Sequence, residues 1–353
     1  MLKIMPYLKL AFEKNASDIF FTSNAPAMLK VEGNFLSVGK TPLTSEFIKE
    51  LAFGILTPEQ QAHFNQHLEI DLATQAGGLG RFRVNIFTQR NSVSMVLRHV
   101  KADIPKLDSL GIPEVAKDLI MLKRGMILMV GATGSGKTTT LAAMLDHRND
   151  NAAGHILTIE DPIEFVHANK RSIVNQREVG TDTHSYDKAL QSSLREAPDV
   201  ILIGEIRTRE TMDAVMQLAN TGHLALATLH ANNAYQALQR IVNLYPDGMR
   251  DQLFMDLSMT LRAVISQRLV RRKDGKRCAA VEVMINTPFI QELILGRRID
   301  EIKEAMNQSS DKGMLTFDDS LYGLLQQGLI DKEEALNNAD SRSNLDAKIN
   351  FGT

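Results

Sequence analysis

One cysteine and no tryptophan are found among 353 residues, and the two shortages exclude different things. Cys278 alone permits neither an internal disulfide framework nor a four-cysteine zinc site, and a lone thiol fits a reducing cytoplasm. Aromatics are 5% of the chain, with five tyrosines, so stacking platforms for single-stranded nucleic acid are scarce. A net charge of −2 supplies no global basic field for a polyanion or a membrane surface. No run approaches the roughly 18 continuous apolar residues of a spanning helix. The opening Met1–Phe12 is apolar but broken by Lys3, Pro6 and Lys9. It reads as an amphipathic first helix, not a signal peptide.

What is present is a soluble, globular composition, 44% apolar and 23% charged, with room for two or three domains. Residues 1–100 read as a small α+β domain. Segments 18–22, 27–31 and 81–87 are strand-like, and helices over 44–55 and 57–68 each open on a threonine able to cap them. Residues 101–108 read as a linker around Pro105. From there to 336, strands at 126–130, 156–159, 200–203 and 224–229 alternate with helices at 136–147, 184–197 and 207–221. That alternation predicts a parallel sheet covered on both faces, a RecA-like α/β core, with more helices around a strand at 279–285. Residues 337–353 are polar and aperiodic, and are expected to be disordered. The basic stretch Arg268–Lys273 reads as a solvated strand end.

The strongest local signal is Gly131-Ala132-Thr133-Gly134-Ser135-Gly136-Lys137-Thr138-Thr139, lying between an apolar strand and an Ala/Leu-rich helix. This is a P-loop in its required context. Its glycines let backbone N–H groups turn toward phosphate oxygens at a helix N-terminus, where anions are favoured. Lys137 is expected to reach the β- and γ-phosphates and the Thr138 hydroxyl to ligate Mg²⁺, so the chain binds ATP.

Hydrolysis needs a carboxylate near the γ-phosphate. The strand Val200–Ile203 runs into Gly204-Glu205, where a P-loop enzyme places its Walker B acid, so Glu205 is expected to polarise the attacking water or act as base. Glu160, Asp161 and Glu164 crowd the mouth of another strand. Such a cluster repels itself unless a cation or arginines share it, and Mg²⁺ held by Asp161 partly through water is the natural partner. Thr221-Gly-His223 and Thr228-Leu-His230 flank a further strand. His230, ending that strand beside the expected nucleotide, reads as a γ-phosphate sensor.

Taken together, the P-loop, Ile159–Glu164, Gly204–Arg207 and Thr221–His230 resemble the Walker A, Asp box, Walker B and His box of the type II/IV secretion ATPase superfamily. Ala16-Ser-Asp-Ile-Phe-Phe21 is similar to the start of that family's N-terminal PAS-like domain. The resemblance implies that Arg83 and Arg98, on a pair of N-terminal strands, reach into the nucleotide site; Arg195 and Arg207 carry less weight. It also implies a homo-hexamer with ATP between two domains hinged near Pro105, acting on an inner-membrane pilus platform protein from the cytoplasmic side.

Lacking a zinc insertion and a longer N-terminal part, the chain is similar to the retraction branch, the PilT/PilU family of twitching-motility ATPases. Gly296–Met306 departs from the C-terminal motif of PilT-type chains, which favours the PilU type, an accessory working with a PilT-like sister ATPase. The alternatives are an assembly or type II secretion motor, a RecA-like nucleic-acid translocase, which low charge and few aromatics disfavour, and a non-catalytic nucleotide-binding scaffold.

Overall fold

Phe82, Val84 and Ile86 are buried at alternate positions of one strand, and that period of two makes the first sheet single-sided. The computed structural model describes residues 3–31, 33–100, 103–309, 311 and 313–351. It divides into two units, Met1–Asp103 with Glu164–Val166, and Ile104–Ile163 with His167–Thr353.

The first unit contains α1 (Met5–Glu13), β1 (Asp18–Phe21), β2 (Ala27–Val31), β3 (Asn34–Val38), α2 (Ser45–Phe53), α3 (Pro58–His67), β4 (Glu69–Ala76), β5 (Gly80–Gln89) and β6 (Ser92–Val100). Its sheet runs β3-β2-β1-β6-β5-β4 with antiparallel neighbours. Leu8, Ile48, Leu51 and Phe64 from the helices share one core with Phe82, Ile86, Met95 and Leu97. The two threonine caps form as expected. Thr44 accepts from the Phe47 N–H, and Thr57 makes a reciprocal capping box with Gln60, satisfying N–H groups that a helix start leaves open.

The second unit holds α4 (Val115–Ile120), β7 (Gly125–Val130), α5 (Lys137–Asn151), β8 (Gly154–Glu160), β9 (Ser172–Glu178), α6 (Tyr186–Ser193), β10 (Val200–Ile203), α7 (Arg209–Asn220), β11 (Leu224–Leu229), α8 (Ala234–Asn243) and α9 (Arg250–Thr260). It continues with β12 (Leu261–Arg271), β13 (Arg277–Ile285), α10 (Pro288–Leu295), α11 (Ile302–Asn307), α12 (Phe317–Gln326), α13 (Lys332–Asn338) and α14 (Arg342–Phe351). The sheet order is β13-β12-β7-β11-β10-β8-β9. Along β7, Met126, Leu128 and Val130 enter one core while Ile127 and Met129 enter another. A strand apolar at every position is thus covered on both faces.

Two expectations are corrected. The sheet is mixed, because β13 pairs antiparallel with β12 in a register that closes at Arg271 opposite Arg277. The intervening turn is too short for the crossover that parallel pairing requires. The polar C-terminus is helical within the described residues. Leu345 of α14 is fully buried with Phe317, Ile330 and Ala335, and Ile349, one turn on, packs against the same cluster. A stripe that narrow is hidden in a polar composition, yet it suffices when a ready core receives it.

Candidate nucleotide site

Strands β7, β8, β10 and β11 are mutually parallel neighbours, so their carboxyl ends open on one edge. The P-loop follows β7, Glu160 and Asp161 close β8, Glu205 follows β10, and His230 follows β11. Ligands of open α/β sheets bind at this edge. His223 precedes β11 and lies at the opposite edge, on the order of 20 Å from His230 at the usual rise per strand residue. Its Nδ1 contacts Thr221 Oγ1 and the Leu218 carbonyl, a local structural role.

The residues of the loop fit a polyphosphate. Gly131, Gly134 and Gly136 have φ of 150°, 78° and 88°. A Cβ on Gly131 would come within 2.5 Å of the Gln267 carbonyl oxygen, and one on Gly136 within 2.7 Å of Gln267 Nε2. Helix α5 starts at Lys137 with no side chain capping it, which leaves its N-terminal dipole to an external anion. Lys137 is buried and its Nζ donates to the carbonyls of Gly131 and Ala132 at 2.7 and 2.9 Å. The Ser135 hydroxyl is buried without a hydrogen-bond partner among the described residues. Depressions of about 430 and 300 Å³ flank the loop, one lined by His230, Asn232 and Gln236, the other by Gln267, Arg268 and Arg277.

The acids divide by environment. Glu205 is mostly buried: its Oε2 accepts from Arg207 Nε and Nη2 at 2.8 and 2.7 Å, and its Oε1 lies 3.3 Å from His230 Nε2. The hydrogen bond to Glu205 pushes the Arg207 guanidinium further up. Glu160 is buried, accepting from Thr158 Oγ1 at 2.6 Å and Gln176 Nε2 at 3.3 Å, whereas Asp161 is exposed. Glu164 falls in the segment that groups with the first unit. Second-unit geometry thus gathers Glu160, Asp161, Glu205 and His230 around the P-loop edge.

Two residues went unread in the sequence. Tyr186 opens α6 with its hydroxyl against Gly204, where an added Cβ would approach it to 2.7 Å. Burial, then the Asp161 carboxylate, pushes its phenol up, so it stays a donor. Gln267 is fully buried beside the loop. It accepts from Thr140 Oγ1 at 2.8 Å and donates to the Ser135 carbonyl at 2.9 Å. A glutamine inside Val264-Ile-Ser-Gln-Arg-Leu-Val270 was the available signal, since a polar group in an apolar strand needs partners.

In the first unit, Arg83 and Arg98 stand directly opposite one another on β5 and β6. Arg98 Nε donates to the buried Asp18 at 2.7 Å while the rest of its side chain stays exposed.

A family model described as Type II/IV secretion system protein matches residues 2–316. The chain belongs to this family. Among its secretion-family relatives, the chain is 49% identical to the type IV pilus ATPase PilU of Pseudomonas aeruginosa, over 98% of this chain and 91% of that protein. It is 40% identical to the type IV pilus retractation ATPase PilT of the same organism, over 94% and 96%. A crystal structure of the pilus retraction motor PilT with bound ADP superposes with a TM-score of 0.91 at 38% identity, covering 97% of this chain and 98% of that one. The expected family, and with it the mixed α/β architecture, agrees with these likenesses.

Proposed function

We propose that this family member is an ATP-hydrolysing motor of type IV pilus retraction and twitching motility, of the PilU type. The observation that carries the reading is the convergence, at the carboxyl ends of adjacent parallel strands, of a P-loop with the pair Glu205 and His230. Similarity to PilU and PilT over nearly the whole chain supports the cellular role.

The residues divide the work. Main-chain amides of 131–139 and Lys137 bind and orient the phosphates. Glu205, held by Arg207, takes the proton of the attacking water or polarises it, and His230 beside it registers the terminal phosphate. When bound, Mg²⁺ would neutralise charge on the phosphate oxygens. Among the described residues no group of three or more His, Cys, Asp or Glu is set to hold a metal alone. The residues that would hold the ion beside the phosphates are Thr138 and, partly through water, Asp161. Glu160 and Glu164 complete the acidic set, and Arg83 and Arg98 stabilise developing charge.

The wider reading has a PAS-like domain over 1–100, a linker over 101–108 and a RecA-like ATPase domain over 109–336. It works as a homo-hexamer with a PilT-like sister, peripherally at the inner-membrane platform protein. No described helix is long and apolar enough to cross a membrane. The test is phosphate release with and without DNA, joined to deletion of the gene. DNA-independent turnover with lost twitching or excess pili is expected; DNA-stimulated turnover, or loss of pili, overturns the reading.

A further inference from the structure

The loop that carries His230 is held from the far end of the chain. Asn232, two residues on, offers its carbonyl to Arg268 Nη2 at 3.3 Å. Asn233 caps α8 by accepting from the Gln236 N–H, and its Nδ2 donates to Asp340 Oδ2 at 3.3 Å. Arg268 lies between the two. Its Nη1 donates to the Asn338 carbonyl at 2.7 Å and its Nη2 to Asp340 Oδ1 at 2.6 Å. Its guanidinium stacks 3.8 Å over the Phe317 ring. The joint between α13 and α14 is itself fixed, because Asp318 accepts from the N–H groups of Asp340 and Ser341. A basic residue expected at a solvated strand end is therefore three-quarters buried at the centre of a clamp.

We propose that Arg268 and Asp340 are positioning residues. They brace the C-terminal helices against the loop 230–233 and so keep His230 facing Glu205. The physical ground is geometric. A planar guanidinium can meet a carboxylate and two carbonyls at once and stack on a ring, which fixes its own orientation and that of everything it binds. The loop it touches follows directly from His230, whose imidazole stands beside Glu205. This rests on the ATPase reading above, and it adds that turnover depends on a seated C-terminal segment remote from the phosphates in sequence.

The test is a cycle of variants in full-length protein, read by steady-state phosphate release and by fluorescent-nucleotide binding. Arg268→Ala and Asp340→Asn should each lower kcat about tenfold while nucleotide affinity changes less than about threefold. In a His230→Ala background, Arg268→Ala should cost nothing further, because a residue acting through His230 has nothing left to position. Equal fractional losses in both backgrounds, or an unchanged kcat in Arg268→Ala, overturn the proposal. Should Arg268→Ala not fold, Arg268→Lys decides. It keeps the charge but not the fork, so an intermediate kcat supports the clamp and a wild-type kcat overturns it. A wild-type chain that releases no phosphate overturns the ATPase reading itself, whereas turnover indifferent to Arg268 overturns only the clamp.

Discussion

His230 Nε2 stands 3.3 Å from Oε1 of Glu205, while the other carboxylate oxygen is taken by Arg207. The pairing joins the ends of two adjacent strands, β10 and β11, and a second link lies just behind it. The Ile206 N–H donates to the Thr228 carbonyl at 2.9 Å, and Thr228 Oγ1 donates to the Gly204 carbonyl. Glu205 and His230 are thus presented on one rigid edge, which is what the preorganised charge stabilisation of the proposed reaction needs.

Replacing Glu205 by Gln keeps the volume and removes the carboxylate to which the proposed function gives the attacking water. Phosphate release should fall by about 10²-fold or more, with nucleotide affinity within a few-fold of wild type. Undiminished release would remove Glu205 from its role.

Gln267→Leu should loosen the P-loop from outside it. It strands the Thr140 hydroxyl and the Ser135 carbonyl, each loss costing about 1–3 kcal/mol. The expected result is a lowered melting temperature and roughly tenfold weaker nucleotide binding, a factor worth about 1.4 kcal/mol. Calorimetric titration and a thermal melt on the same sample check both.

Glu282 gives a pH dependence with a definite sign. Burial pushes its carboxyl up to about 7, against hydrogen bonds from the Ala234 N–H and the Ser266 hydroxyl that favour the charged form. Between an ordinary carboxyl value and about 7 the folded state holds the extra proton, so stability falls as pH rises through that window. Glu282→Gln should flatten the slope, with a relative gain on the order of 2–3 kcal/mol above pH 7. Denaturant melts at pH 5 and pH 8 measure it; an unchanged slope would show that the carboxyl titrates elsewhere.

Arg83 and Arg98 should separate by their effects on folding. Arg98→Ala leaves Asp18 buried with Ser17 Oγ, 2.8 Å away, as its remaining side-chain donor. It should destabilise the first unit by about 1–3 kcal/mol, and Asp18→Asn in that background should recover part of the loss. Arg83→Ala removes a like charge directly opposite Arg98 and should leave stability within about 0.5 kcal/mol of wild type. Hydrogen exchange on β5 and β6 reports the difference, and the turnover of Arg83→Ala can then be read free of any folding effect.

The chain order alone determined the P-loop, Glu205, the acids after β8, the histidine after β11 and the two threonine caps. Each is encoded within a few consecutive residues whose backbone preferences and charge act locally. Tertiary structure decided what no local window holds: the Thr140 bond to Gln267 across 127 positions, the β12–β13 edge that makes the sheet mixed, Tyr186 over Gly204, and a tail that folds because Leu345 finds a core. Hydrogen bonds and buried stripes of that kind form only once distant segments are packed together, and their partners are set by geometry that a linear pattern does not carry.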